Sequence, residues 1–528
     1  MSDTPPEAAA RRRTFAIISH PDAGKTTLTE KFLLYGGAVQ QAGQVKARGQ
    51  RRRVRSDWME LEQKRGISIT STVLRFPYRN HVLNLLDTPG HRDFSEDTYR
   101  VLAAADAAVM VLDVAKGIEA QTLKLFEVCR GRGVPLLTFL NKWDRPGLEA
   151  LALLDEIERR LDLQPVPVTW PVGSAGDLRG LIEVPTRRYV RYARTSHGAV
   201  EAEETTLPAE RAFEEEGAAG SSAHDELALL DEVGGELDLL RFEAGEQTPV
   251  FVGSALTNAG VRPLLDAIVD LAPAPTPRSD CDGVARKLDD PFSAFAFKVQ
   301  ANMDPAHRDR VAFLRICSGR FERGMVVTHQ PTGKPFATKY AHSVFAQGRD
   351  TIDEGYPGDI VALVNAAEVR VGDTLYVGPP VVFPRLPQFA PEHFHHARVR
   401  DTGRFKQFRR GVAQLDEEGV VQVLRHPESG DRAPLFAAVG PMQLEVASWR
   451  LHHEFGAPAE LSPTRFTVAR RTAASSAPEL EMLPGVEVWT RADGTRYALF
   501  ESPFWLARVE QEHPELTLDK LVGEGQTS

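Results

Sequence analysis

The sequence predicts a multidomain α/β protein: a helix-covered, mostly parallel sheet interrupted by an insertion, then a β-barrel domain, then an α+β C-terminal domain. Three observations support this. Strand-like and helix-like segments alternate from Thr14 to about Asp144; a Pro-rich stretch, "APAPTPRSD" (Ala272–Asp280), precedes a series of short β-type runs; and helical periodicity returns after Pro384. At about 100–200 residues per domain, a chain of 528 residues has room for three or four. The expected boundaries are 1–276, with an acidic insertion within about 175–247, then 277–383 and 384–528.

In the first domain, "TFAIIS", "HVLNLLD", "AAVMVLDV" and "VPLLTFLN" are near-continuous apolar runs, as expected of strands buried on both faces. Helical stretches follow Gly24 and run through "FSEDTYRVLAA" and "EAQTLKLFEVCR". The alternation pauses in the acidic segment and resumes at "PVFVGSAL" and "RPLLDAIVDL", which places that segment inside the domain. Beyond the Pro-rich spacer, "FSAFAFKVQ", "RVAFLRICSG", "GMVVTHQ", "GDIVALVN" and "GDTLYVG" are short strands between turn residues, the pattern of a small barrel. In the last third, Phe405, Phe408, Val412 and Leu415 form one apolar helical stripe and Met442, Val446 and Trp449 a second. "VVQVLRH" and "PLFAAVG" are strand candidates, and "EVWTRADGTRYALF" is a hairpin turning at Asp493 and Gly494.

Composition narrows the class of protein. "MSDTPPEAAARRR" has no apolar run behind its charges, and Asp106 and Asp113 interrupt the longest apolar stretch, so neither a signal peptide nor a membrane span is expected. Cys129, Cys281 and Cys317 lie far apart, which argues against a disulfide framework or a zinc cluster and for a reducing, cytoplasmic setting. The net charge is −10, yet residues 201–246 alone hold fifteen Asp or Glu against two Arg. The remainder is therefore slightly basic, and a nucleic-acid partner is not excluded.

Four motifs carry chemistry. "SHPDAGKTT" comprises Ser19, His20, Pro21, Asp22, Ala23, Gly24, Lys25, Thr26 and Thr27, set between a strand and a helix. Its backbone N–H groups can surround phosphate oxygens, Lys25 pairing with the β and γ phosphates and Thr26 ligating Mg²⁺, although Ser19 stands where the full phosphate-loop pattern has Gly. "DTPGH" (Asp87, Thr88, Pro89, Gly90, His91) offers a carboxylate for Mg²⁺ and a Gly90 N–H for the γ phosphate; alone it is also a good turn. In "NKWD", Asn141, Lys142 and Asp144 follow a strand, and Asp144 can accept the N1 and N2 hydrogens of guanine. In "GSAL", Ser254, Ala255 and Leu256 can present backbone N–H groups to the guanine oxygen. Each signal is weak alone, but four in order at strand C-terminal ends describe a P-loop GTPase domain.

These motifs resemble those of the translational GTPases, and the resemblance covers nearly the whole chain. "RGISIT" (Arg65–Thr70) is similar to the family's first switch, which implies Mg²⁺ ligation by Ser68 or Thr70; His91 matches the family's catalytic histidine, which positions the attacking water. The phosphate loop beginning at Ser19, "FKVQANMDPAHRDRVAFLRICSG", "YPGDI" and "KQFRRGVAQLDEEGVVQV" resemble the branch that acts at translation termination. The resemblance implies a monomeric, cytoplasmic, ribosome-dependent GTP hydrolase, binding GTP or GDP with Mg²⁺. It implies contacts with ribosomal RNA and proteins, none with membrane, and dissociation of codon-reading release factors after peptide release.

Elongation factor G-like and ribosomal protection proteins are the alternative within the family, but the resemblance implies that they carry further C-terminal domains, and only about 145 residues follow Pro384. The Gly-Gly-Gln tripeptide of codon-reading factors does not occur. A metabolite kinase would need an acceptor site and a lid, for which no signature is present, and a binding module without hydrolysis would not depend on His91. The basic cluster "RGQRRRVRSDW" (Arg48–Trp58) is expected to meet ribosomal RNA phosphates or to be a solvated loop.

Overall fold

The computed structural model describes residues 3–38, 71–89, 95–193, 200–301, 310–344, 349–364, 366, 368–384, 386, 389–426 and 430–521. The Arg48–Trp58 cluster, Ser68, Thr70, Gly90 and His91 lie outside the described residues.

Strands β1 (Arg12–Ser19), β2 (Thr72–Tyr78), β3 (His81–Asp87), β4 (Ala107–Asp113), β5 (Leu136–Asn141) and β6 (Gln164–Pro167) are followed by β7 (Thr169–Val172), β8 (Gly180–Glu183), β9 (Arg188–Tyr192), β10 (Glu204–Pro208) and β11 (Gln247–Val252). One seven-stranded sheet has the order β2-β3-β1-β4-β5-β11-β6. Its pairs are parallel except β2 with β3. The period of two along a strand is visible in β1, where Phe15 and Ile17 enter one core cluster and Ala16 and Ile18 the other. Helices Lys25–Tyr35 and Val261–Leu271 cover the first face through Phe32, Leu264 and Ile268. Helices Ala120–Gly131 and Ala150–Leu161 cover the second through Leu125, Phe126 and Ile157.

β7 to β10 form a separate antiparallel sheet of order β10-β9-β8-β7, so the chain leaves the main sheet after β6 and returns with β11. Its helix Ala218–Val233 is tied to β7 by Trp170 Nε1, which donates to Glu226 at 2.8 Å. The acidic residues here are not a free arm. Arg191 pairs with Glu215 at 2.8 Å and Glu216 at 2.7 Å, and Arg187 with Asp231 at 2.5 Å.

The barrel is an eight-stranded sheet whose long strands are Ser293–Ala301 and Arg310–Ser318. Ala294, Ala296, Leu314 and Ile316 fill its interior, whereas Phe295, Phe297 and Phe313 join the core of the first domain. One barrel wall is therefore also the interdomain interface. Buried charges cross it in both directions: Arg315 of the barrel reaches Asp106 at 2.5 Å, and Arg12 of β1 reaches the barrel's Asp359 at 2.9 Å.

The C-terminal domain has a four-stranded and a three-stranded antiparallel sheet with helices Phe405–Glu418 and Pro441–His453. Phe408, Val412 and Leu415 are buried as the periodicity predicts. The second stripe is partly rotated: Val446 is buried as expected, but Leu444, Ala447 and Leu451 enter the core beside it while Met442 and Trp449 are half-buried. The cause is polar. Gln443 turns inward to accept the Val439 and Gly440 N–H groups, and Arg450 is buried between Glu418 and Glu454, so the buried face carries residues that a hydrophobic count ignores. The hairpin turns at Asp493, whose carboxylate accepts the Thr495 N–H at 2.9 Å, with Gly494 at φ +84°.

Candidate nucleotide site

Because β1, β3, β5 and β11 are parallel or joined through parallel neighbours, the loops after Ser19, Asp87, Asn141 and Val252 open on one edge of the sheet. Ligands of open α/β sheets bind at this edge. The first loop ends at Gly24, which has φ +98° and caps helix Lys25–Tyr35. A Cβ on Gly24 would lie 2.2 Å from Asn141 Nδ2. Gly24→Ala would therefore strain the backbone and displace Asn141, and we expect GTP affinity to fall about tenfold or more in a fluorescence titration. An unchanged affinity would remove this loop from the site.

Asn141 joins two loops. Its Nδ2 donates to Ala23 O at 2.7 Å and its Oδ1 accepts the Ala255 N–H at 2.9 Å, both buried. Asp144 accepts a hydrogen bond from Ser254 Oγ at 2.5 Å, so "NKWD" and "GSAL" are in direct contact. Ser254 and Ala255 are buried; Leu256 is exposed beside them. Lys142, in the left-handed region at φ +72°, reaches Asp113 at the end of β4, with Nζ 2.8 Å from Oδ2. Burial alone would raise the Asp113 carboxyl, but Lys142 and the Ala115 N–H hold it below its ordinary value.

At the phosphate end, Lys25 Nζ lies 2.9 Å from Asp87 Oδ1, with both side chains almost fully buried. The two charges face each other without hydrogen-bond alignment: among the described residues, Lys25 Nζ and both Asp87 oxygens have no hydrogen-bond partner, nor has the buried Ser19 Oγ. A buried ammonium, a carboxylate and a hydroxyl left in this condition suit a polyanion together with a hard cation. Thr26 and Thr27 are half-buried in the first helical turn, Asp22 is exposed at φ +66°, and Pro21 and His20 are half-buried. His20 Nε2 is 3.0 Å from Glu119, and burial pulls its pKa down. Thr88 Oγ1 donates to Ile17 O at 2.6 Å, and Pro89 O accepts from Thr98 Oγ1 at 3.3 Å, so the start of "DTPGH" is anchored on both sides.

Two residues escape a reading by motif. Asp113 ends a strand with a carboxylate just as Asp87 does, and that shared pattern was its signal. Glu119, the partner of His20, has no local signature.

Comparisons with known proteins agree along the chain. Residues 10–274 match the family model described as Elongation factor Tu GTP binding domain, 291–378 that of Elongation factor G domain 2, and 383–510 that of Class II release factor RF3, C-terminal domain. The protein named peptide chain release factor 3 of Microcystis aeruginosa is 49% identical over 523 residues, covering 98% of this chain and 96% of that protein. Its namesake in Gloeobacter violaceus is 48% identical over 522 residues, covering 97% and 98%. A crystal structure from Thermus thermophilus shares the fold, with a TM-score of 0.69 at 24% identity over 92% of this chain and 72% of that one. The chain belongs to the peptide chain release factor 3 family, and it is a translational GTPase of termination.

Proposed function

We propose that this GTPase binds ribosomes after peptide release and promotes dissociation of the codon-reading release factor still bound there, so that the factor is recycled. The observation that carries this reading is the pairing, in one chain, of a nucleotide site with a C-terminal domain over residues 383–510 that matches the release factor model. In the proposed site, Lys25 and the backbone N–H groups of residues 22–26 hold the β and γ phosphates. Asn141 keeps the loops together, and Lys142, Asp144, Ser254, Ala255 and Leu256 surround guanine. Thr26, Asp87 and either Ser68 or Thr70 would hold Mg²⁺, which when bound would neutralise phosphate charge. His91 orients the attacking water, and hydrolysis then lowers affinity for the ribosome, with positioning and electrostatics supplying the acceleration. The protein is read as a cytoplasmic monomer; among the described residues no helix is long and apolar enough to cross a membrane.

The test is the dissociation rate of a labelled release factor from post-termination ribosomes. Acceleration by the full chain with GTP, and no effect on translocation, is expected; an unchanged rate rejects the reading. His91→Ala is expected to reduce ribosome-stimulated hydrolysis about 10²-fold or more while GTP binding is kept, and an unchanged turnover would remove His91 from the chemistry.

A further inference from the structure

Helix Phe405–Glu418 keeps its charges apart. At its C-terminal end every acid is paired: Asp416 with Arg491 at 3.2 Å, Glu417 with Arg310 at 2.8 Å and Glu418 with Arg450 at 2.6 Å. At the other end, in "GRFKQFRRG", Arg404, Lys406, Arg409 and Arg410 are exposed, and among the described residues none of these side chains meets a carboxylate or a hydrogen-bond partner. Cations in the first turns and acids in the last both oppose the helix dipole, so this order costs the helix stability and needs another reason. For the acids the reason is the pairs they make. The cations hold nothing among the described residues, and their reason lies outside the chain.

The helical period puts Lys406, Arg409 and Arg410 on one side, opposite Phe408, Val412 and Leu415. Helix Pro441–His453 packs beside this one, because Phe408 and Leu415 share a core with its Leu444 and Leu451 and with Phe436 and Ala438 of the four-stranded sheet. A Cβ on Gly411 would lie 2.7 Å from Leu451, so Arg410 and His452, each next in sequence to that contact, stand at the same crossing. Both helices cover one face of the sheet, and their outward sides form one surface. On the second helix that side carries three stacked rings. Trp449 and His453 have centroids 4.6 Å apart and planes 21° from parallel; His453 and His452 are 4.5 Å apart and 19° from parallel. His453 Nδ1 lies 2.9 Å from Trp449 O, which fixes the middle ring. Trp449 is half-buried and both histidines are exposed, so the stack rises from the helix packing into solvent.

Unpaired cations attract a polyanion, and a pile of planar rings open at one end takes a flat group. An acidic peptide has the charge without the flat group, and a duplex keeps its bases stacked on one another. A single strand of nucleic acid offers both, and RNA is the nucleic acid that a translational GTPase meets. We propose that the outward side of these two helices is a binding surface for unpaired RNA: Lys406, Arg409 and Arg410 hold phosphates, and one base stacks on the Trp449–His453–His452 rings. The surface belongs to the C-terminal domain and shares no residue with the nucleotide site.

Fluorescence anisotropy of the full chain tests this, with a labelled oligoribonucleotide of about 12 nucleotides, used single-stranded and annealed to its complement. The single strand is expected to bind at least about fivefold more tightly than the duplex. Reversing three charges together, Lys406→Glu, Arg409→Glu and Arg410→Glu, is expected to weaken binding about tenfold or more and to lower the slope of log affinity against log salt by about 2, since each phosphate contact of a single strand contributes about 0.7. His452→Ala with His453→Ala is expected to weaken binding about fivefold or more with the slope unchanged, and His452→Phe with His453→Phe to keep the parent affinity. Should the charge reversal lower the urea midpoint, Arg409→Gln with Arg410→Gln decides by the same criterion, with a slope change of about 1.4. The full chain also carries the Arg48–Trp58 cluster, so parent affinity retained in both the charge and the histidine variants assigns RNA to that cluster and overturns the proposal. A duplex bound as tightly as the single strand, or poly-glutamate competing as well per charge as RNA, overturns it too. With no ribosome, release factor or GTP in the assay, the outcome is independent of the recycling reading.

Discussion

Asp144→Asn is expected to weaken GTP binding by about 10⁴-fold and to let the site accept xanthosine triphosphate. The proposed contact uses two carboxylate acceptors against two guanine donors, N1–H and the exocyclic amine. Ser254 Oγ donates to Asp144 Oδ1 at 2.5 Å, which fixes the orientation of the carboxylate before nucleotide arrives. An amide in its place turns an N–H toward a guanine N–H, leaving two buried donors facing each other and neither satisfied. Xanthine carries a carbonyl where guanine carries the amine, so the amide's donor and acceptor both find partners. The fold should be indifferent to the change, because the loop is held separately by Asn141 and by Trp143, whose indole donates to Gly173 O at 3.1 Å. Equilibrium titration with both fluorescent nucleotides measures the swap. A GTP affinity within about threefold of the parent would place guanine recognition elsewhere.

What could be read from sequence follows the range of the interactions. The parallel sheet was legible because Phe15, Leu85, Val109 and Phe139 are buried by strand-local rules that leave continuous apolar runs. The motifs were legible as neighbours because the loop after Ser19, the Asp87 carboxylate and the Asn141–Asp144 segment all sit at strand C-terminal ends. β2 was not legible. It is an antiparallel edge strand containing Pro77, whose missing N–H is tolerable only at an edge, and sequence alone does not say which strand is outermost. The rotated face of helix Pro441–His453 was hidden by Gln443 and Arg450, polar residues buried through partners elsewhere in the fold. The pairing of Arg12 with Asp359 joins residues 347 positions apart, and nothing at either position announces the other.

That pair should dominate the mechanical integrity of the molecule. Asp359 is completely buried, accepts from Arg12 Nε at 2.9 Å and the Tyr356 N–H at 3.0 Å, and faces Arg75 Nη2 at 3.6 Å, too long for a hydrogen bond. Burial alone would raise its pKa, but the charges of Arg75 and Arg12 and the two hydrogen bonds hold it below the ordinary carboxylate value. A folded-state pKa below the unfolded one means that the carboxylate form stabilises the fold. This contribution is present above the ordinary carboxylate range and is lost as pH falls through the depressed value. Asp359→Asn leaves two nearly buried guanidinium groups without their counterion, and removing one partner of a buried pair costs about 3–5 kcal/mol. We expect a loss of about 3 kcal/mol in the first urea transition near neutral pH, converging with the parent as acid protonates Asp359. Replacing Arg12, Arg75 and Asp359 together by Met, Met and Leu should recover most of the loss, because burying well-packed apolar groups avoids the desolvation of three charges. A single-variant loss under about 1 kcal/mol, or a triple variant weaker than the single one, would show that the aromatic wall of Phe295, Phe297 and Phe313 holds the two domains together without the charges.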